Sequence, residues 1–230
     1  MNIAIIPARA GSKRIPGKNF RLFAGLPIIQ HTINNVIASN IFDRVIVSTD
    51  SADITEIAKQ LGVEVPFVRP AALSDDFIGT DKVIVHAIDA LGLARMDATA
   101  ICCVYPATPL LLPIDLVESE MKFHEKVSHE LVAVSKLRVA LERTFVRVSK
   151  DTLKLSDPNT YLLRSQDLPE RYYDAGQFYW GNVQTWKNKL SSLQNEISYY
   201  ELPWNRAIDI DTVEDWEFCE YLYKLNLPKD

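Results

Sequence analysis

Cysteine is scarce in this chain. There are three in 230 residues: Cys102 and Cys103, adjacent inside an apolar run, and Cys219. That excludes a disulfide framework and suits buried free thiols. The four histidines, His31, His86, His124 and His129, are scattered. They form no cysteine–histidine cluster at zinc spacing and no Ser–His–Asp set. Excess positive charge is also missing. The formal net charge is -5 and the isoelectric point about 5.5, so no nucleic-acid partner is expected. No run approaches the length of a membrane span. The opening Met-Asn-Ile-Ala-Ile-Ile-Pro has no basic n-region and no long apolar h-region. No signal peptide is therefore expected, no membrane association, and a cytoplasmic location. Internal repeats and low-complexity segments are absent too. What remains is ordinary globular material, 47% hydrophobic, enough for one sizeable core.

The most informative stretch is residues 3–19, Ile-Ala-Ile-Ile-Pro-Ala-Arg-Ala-Gly-Ser-Lys-Arg-Ile-Pro-Gly-Lys-Asn. Ile3 to Ile6 reads as a short buried strand. At Pro7 it breaks into a loop with two glycines and four cations, Arg9, Lys13, Arg14 and Lys18. Such a loop lies at a strand's carboxyl end, where open α/β sheets bind ligands. Glycines allow close backbone approach and clustered cations attract polyanions, so a phosphate-rich ligand is expected. Arg9, Lys13 and Lys18 are the candidates to face a triphosphate. Asn19 either hydrogen-bonds base or ribose or stabilises a turn. A P-loop is excluded: five residues, not four, separate Gly11 from Gly17, and Asn19 stands where a hydroxyl belongs. The dinucleotide fingerprint G-x-G-x-x-G is absent as well.

Periodicity supplies the frame. Helices are expected over residues 27–39, 51–61 (closed by Gly62), 80–93, 116–123 and 212–225. Strands are expected over 44–48, 63–68, 100–105, 131–135, 178–180 and 197–201. This alternation gives an α/β fold, three-layered, with a mostly parallel central sheet covered on both faces. The rhythm changes near Lys136. Residues 144–149 and 153–155 read as a hairpin about a Lys150-Asp151 turn, and 157–174 is polar and aperiodic. Residues 1–135 and 175–230 are thus expected to form the core, with 136–174 an excursion from it.

Near the carboxyl end, Asp209-Ile210-Asp211-Thr212 precedes the last helix. Alternation on a strand end would put both carboxylates on one side and Ile210 on the other. Mg²⁺ takes one or two protein carboxylates together with substrate phosphate oxygens, so Asp209 and Asp211 are the expected metal ligands. Asp75 and Asp76, before the helix at Thr80, are expected to favour its dipole instead.

Five segments in order resemble the sugar-acid cytidylyltransferases, the CMP-sialic acid synthetase family. They are the loop Pro7–Asn19; Arg69-Pro70-Ala71-Ala72-Leu73; Tyr105-Pro106-Ala107-Thr108-Pro109; Arg164-Ser165-Gln166-Asp167-Leu168-Pro169; and Ile208-Asp209-Ile210-Asp211-Thr212. The resemblance implies a Rossmann-like nucleotidyltransferase fold that moves CMP from CTP to an acidic nine-carbon sugar and releases pyrophosphate. It implies CTP contacts from Ala8, Arg9, Gly11, Ser12, Lys13, Lys18, Asn19, Arg69 and Thr80, the last also a candidate helix N-cap. It implies Arg9, Lys13, Lys18 and Asp211 in catalysis, with Mg²⁺ on Asp209 and Asp211. Tyr105, Arg164, Gln166, Gln177, Phe178 and Tyr179 would face the sugar, Arg164 and Gln166 from an excursion that pairs two subunits in a homodimer. Arg164 reads equally as a solvated surface residue, and some of the aromatics as core. Tyr105 replaces the glutamine that sialic acid synthetases place there. Asp174-Ala175-Gly176-Gln177-Phe178-Tyr179-Trp180-Gly181 matches the pseudaminic acid branch. The alternatives are a sialic or legionaminic acid enzyme, or a non-catalytic nucleotide-binding module.

Overall fold

The computed structural model describes residues 1–75, 78–95, 100–125, 129–188 and 196–226; Asp76 lies outside them. Its strands are β1 (Asn2–Pro7), β2 (Leu22–Phe23), β3 (Leu26–Pro27), β4 (Arg44–Ser48), β5 (Ala100–Val104), β6 (Glu130–Lys136), β7 (Phe145–Ser149), β8 (Thr152–Leu155), β9 (Tyr172–Asn182) and β10 (Ser198–Glu201). Its helices are α1 (Ile28–Ser39), α2 (Ala52–Gln60), α3 (Thr80–Ala90), α4 (Pro113–Glu125), α5 (Val183–Lys187) and α6 (Val213–Asn226). Six strands form the central sheet in the order β10-β6-β9-β5-β1-β4. Five run parallel to one another. Only β9 is reversed, pairing antiparallel with both β5 and β6.

Alternation along the strands builds the layers. Ala4, Ile6, Cys102, Val104, Phe178 and Trp180 are buried on one face together with Ile29 and Ile33 of α1, Ala58 of α2 and Leu116 of α4. Ile3, Ile5, Ile101, Cys103 and Tyr179 are buried on the other with Ile84 and Ile88 of α3 and Trp186 of α5. The neighbouring cysteines therefore point to opposite sides of the sheet, and all three are free. Ser51 caps α2 by accepting from the Ile54 amide. Gly62 follows that helix at φ 75°, the left-handed turn that ends it.

Two expectations are corrected. Residues 63–68 are not a sheet strand: they make two isolated bridges, Glu64 to Ile46 of β4 and Val68 to Thr49 just past it. Pro66 lies between them and has no amide to donate, so a continuous ladder cannot form. The strand expected at 178–180 is far longer, resuming at Tyr172. The hairpin β7–β8 is present as a separate two-stranded sheet, and Phe145, Val146, Val148 and Leu153 on it are all exposed.

Candidate active site

A third apolar cluster explains how two ends of the chain meet. Ile15, from the middle of the cationic loop, and Ile210, from between the two aspartates, are buried in it. Trp216, Cys219 and Leu222 of α6, Phe23 of β2, Ile28 of α1, Ala107 and Leu110 complete it. Burying side chains of this size contributes about 1.5–3 kcal/mol each. Burial of Ile15 and Ile210 leaves their charged neighbours facing outward. These line one cleft of about 700 Å³ that contains Arg9, Lys13, Lys18, Arg69, Asp209 and Asp211.

The loop is held from several sides. Asp50, just past β4, accepts from the Ala10 amide at 2.8 Å. Asn19 is buried and donates from Nδ2 to the Arg9 carbonyl at 3.0 Å, clamping its own loop, while its Oδ1 is buried with no partner. That bond clamps the loop, and Asn19 also lines the cleft where a base or ribose contact was the expectation. Gly17 sits at φ 66°, and a Cβ there would lie 2.8 Å from the Phe20 ring. The left-handed backbone therefore favours glycine, and a larger residue would have to displace the Phe20 ring. Gly11, by contrast, has open space around it. Lys18 Nζ donates to the Ile210 carbonyl at 2.6 Å and lies 3.9 Å from Asp211 Oδ1. Arg14 Nη2 meets the same Asp211 oxygen at 2.7 Å.

Beyond Ser48, Arg69 is buried and donates from Nη2 to that residue's carbonyl at 2.6 Å. Burial lowers its pKa, partly offset by the Asp50 charge. Burial also lowers the pKa of Lys18, against the pull of Asp211 and Asp209. Asp209 is pushed up by burial and by repulsion from Asp211. The segment bearing the two acids belongs to no sheet strand. Even so, it points both carboxylates into the cleft and buries Ile210, as alternation would. Thr212 and Asp215 then cap α6 reciprocally: Asp215 accepts from the Thr212 amide and Thr212 Oγ1 accepts from the Asp215 amide. Burial raises the Asp215 carboxyl, but hydrogen bonds from Thr212 and the 211 amide outweigh it, so its pKa is lowered.

Thr80 is not the N-cap of α3. Gly79 holds that position, and the Thr80 hydroxyl hydrogen-bonds the Tyr105 phenol at 3.0 Å. Burial pushes the Tyr105 phenol up to about 12. Thr80 and Tyr105 line both the cationic cleft and an adjoining, more aromatic cavity of about 550 Å³. Tyr172, Tyr173, Asp174 and Tyr179 line the latter. The Tyr105 and Tyr179 rings are 5.3 Å apart, and Tyr179 Oη donates to the Asp174 carboxylate at 2.8 Å.

Four residues expected to face the sugar line neither cavity within one chain. Phe178 is wholly buried beside Tyr200, because alternation turns it away from Tyr179. Gln177 is 1% exposed, and its amide nitrogen is bonded to the Ala175 and Ile208 carbonyls. Gln166 lines a separate cavity with Arg143 and Arg171 in the excursion. Arg164 is exposed and does not line either cleft. Ser12 and Gly11 line the cationic cleft; Ala8 is buried beneath it. Sequence reasoning missed Asp50, although Ser48-Thr49-Asp50 ends a strand where ligands gather. It also gave Arg14 no role, and overlooked Asp174.

Two carboxylates that repel each other across an exposed cleft are hard oxygen donors suited to a divalent cation of the Mg²⁺ type. Among the described residues there is no group of three or more His, Cys, Asp or Glu gathered for a metal. Phosphate oxygens and water complete the Mg²⁺ shell at many nucleotide sites, so two acids fit.

With that geometry in place, comparison fixes the class. The cytidylyltransferase family model matches residues 3–227, and the chain belongs to that family. A pseudaminic acid cytidylyltransferase of Campylobacter jejuni is 39% identical over 98% of this chain and 97% of its own. A CMP-N,N'-diacetyllegionaminic acid synthase of Legionella pneumophila is 33% identical over 97% of each. Among solved structures, CMP:2-keto-3-deoxy-manno-octonic acid synthetase complexed with CTP superposes with a TM-score of 0.73 at 17% identity, covering 98% of this chain and 99% of its own. That likeness carries the fold. Among the described residues, no helix is long and apolar enough to cross a membrane.

Proposed function

We propose that the enzyme transfers CMP from CTP to pseudaminic acid, giving CMP-pseudaminic acid and pyrophosphate. The observation that carries the reading is the meeting of the cationic loop and the acidic pair in one cleft, through Lys18 on the Ile210 carbonyl and Arg14 on Asp211. The 39% identity to a pseudaminic acid enzyme along nearly the whole chain supports this sugar.

In this reading the triphosphate lies along Arg9, Lys13 and Lys18, with the nucleoside toward Arg69, Asn19 and Thr80. The sugar occupies the aromatic cavity beside Tyr105 and Tyr179. Its anomeric hydroxyl attacks the α-phosphorus in line; the new C–O–P linkage forms as the bond to the β-phosphate oxygen breaks. The electron pair leaves on pyrophosphate, where the loop cations stabilise it. The hydroxyl proton passes to solvent or to a cleft carboxylate. Asp209 and Asp211 would hold Mg²⁺, which when bound supplies charge stabilisation at the transferred phosphoryl group. Fixed placement of both reactants supplies much of the remaining acceleration.

The excursion between β6 and β9 fits a homodimer contact. Its hairpin is exposed and apolar, and an isolated two-stranded hairpin is marginally stable in water. Arg164 and Gln166 would then reach a partner's sugar cavity.

The test is pyrophosphate release from CTP with pseudaminic, legionaminic and N-acetylneuraminic acids in parallel. Pseudaminic acid should have the highest kcat/KM. Preference for either other acid would replace the substrate, and no release with any of them would leave a nucleotide-binding module. Asp211→Ala should abolish turnover while largely sparing metal-independent CTP contacts. Retained turnover would remove the metal assignment.

A further inference from the structure

Gln177 was expected at the sugar; the geometry points elsewhere. Its side chain is 1% exposed, and Nε2 donates to the Ala175 carbonyl at 3.1 Å and to the Ile208 carbonyl at 3.0 Å. Its Oε1 is buried with no hydrogen-bond partner. An apolar side chain of the same length would avoid the cost of that unpaired acceptor. What the amide provides instead is a link from β9 to the residue before Asp209.

That link matters because the 208–211 segment has no sheet ladder of its own. Its carbonyls at 208 and 210 are tied down by Gln177 and by Lys18. The carboxylates at 209 and 211 alternate with those ties and face the cleft. A second contact comes from the same place on β9. The β6–β9 register shifts between Val132 and Val134, and opposite that shift Gly176 takes φ 61°. A Cβ on Gly176 would lie 3.1 Å from Asp209 Cγ and Oδ2. The backbone of β9 thus comes directly against the first carboxylate, with only a hydrogen there.

We propose that Gln177 is a positioning residue: it holds the Ile208 carbonyl so that Asp209 and Asp211 converge at the spacing a divalent cation needs, with Gly176 leaving room for Asp209. This rests on the metal reading above. Gln177 does not touch substrate, and its effect passes through the acidic pair.

The test uses Mn²⁺ as probe, titrated into full-length enzyme with CTP and followed by the electron paramagnetic resonance of free Mn²⁺. Gln177→Met removes both Nε2 hydrogen bonds, and loss of the one to the Ile208 carbonyl should raise the Mn²⁺ dissociation constant about tenfold. CTP affinity without metal should change less than about twofold, since no nucleotide contact is lost. Gly176→Ala should raise the Mn²⁺ constant too, by crowding Asp209 rather than freeing the segment, and serves if Gln177→Met does not fold. Trp180→Phe, which loosens β9 at its bond to Ser119, should lower the thermal midpoint and leave Mn²⁺ affinity alone. Unchanged Mn²⁺ affinity in folded Gln177→Met overturns the proposal, as does an equal shift in Trp180→Phe. Native enzyme that takes up no Mn²⁺ with CTP overturns the metal reading itself, and this proposal falls with it.

Discussion

Replacing Lys18 by methionine separates what the cleft does for folding from what it does for catalysis. The lysine is largely buried, 21% exposed, with Nζ on the Ile210 carbonyl. Burial lowers its pKa even though Asp211 and Asp209 pull the other way. The sign follows from linkage. A lysine whose folded pKa lies below 10.5 holds its proton more tightly in the unfolded chain, so its charge opposes folding. That penalty is fully present at neutral pH and is relieved only as pH rises through the folded pKa toward 10.5. Methionine removes the penalty but leaves the Ile210 carbonyl without its donor, a loss of about 1–3 kcal/mol. The two terms oppose each other, so net stability should change by no more than about 1.5 kcal/mol, or about 3–6 °C in Tm for a chain of this size. Catalysis has no such offset. Loss of a fixed donor facing developing phosphate charge costs about 2.7–4 kcal/mol, a 10²–10³-fold fall in kcat/KM. The assays are calorimetry without ligand and pyrophosphate release with saturating sugar. A Tm loss beyond about 10 °C would make Lys18 a structural residue, on the size scaling used above. A kcat/KM within fivefold of native would refute its placement on the triphosphate.

Three further outcomes follow from the same geometry. Arg206 donates to both oxygens of Asp115, which is 1% exposed. Arg206→Met leaves that buried charge without its counter-ion, held by the Leu112 amide and the Tyr200 phenol, and should cost about 3–5 kcal/mol in urea melts, with little change in KM for CTP. Gly17→Ala should weaken CTP binding and destabilise the loop by about 1–2 kcal/mol from its left-handed backbone alone. Gly17→Ala/Phe20→Ala should recover only the steric part of the loss. Finally, Mn²⁺ uptake should fall as pH drops through a midpoint above the ordinary 3.8 of an aspartate, because burial and Asp211 raise Asp209 and only its ionised form ligates. For folding without ligand the sign is reversed. Asp209 favours the folded state at low pH, and that contribution is lost as pH rises through its folded pKa.

Much of this was legible in the sequence because it is local. The apolar runs of β1, β4, β5 and β6 and the helical stripes of α1 and α3 each report their own burial through periodicity. The loop cations and Asp209-Ile210-Asp211 were legible as chemistry, and order along strands fixed which end of the sheet they occupy. What stayed hidden depends on tertiary contact. Asp50 is an unremarkable residue until the Ala10 amide, 40 positions away in sequence, meets it. Residues 63–68 are apolar enough for a strand, but Pro66 limits them to two bridges. The aromatic run at 178–180 looks uniform in sequence. Pleating sends Phe178 into the core and Tyr179 toward the second cavity. Gln177 was assigned through the resemblance of the 174–181 stretch, and its amide suits a ligand or a backbone carbonyl equally well.

The contact between Arg14 and Asp211 bears on how the enzyme waits between turnovers. The guanidinium already occupies a carboxylate oxygen at 2.7 Å, so the resting cleft is partly neutralised from within. A lone cation must evict the arginine, and a lone phosphate must strip it from its acid; each trades one attraction for another. In the metal reading proposed above, this exposed pair is the contact that cation and phosphate would have to exchange.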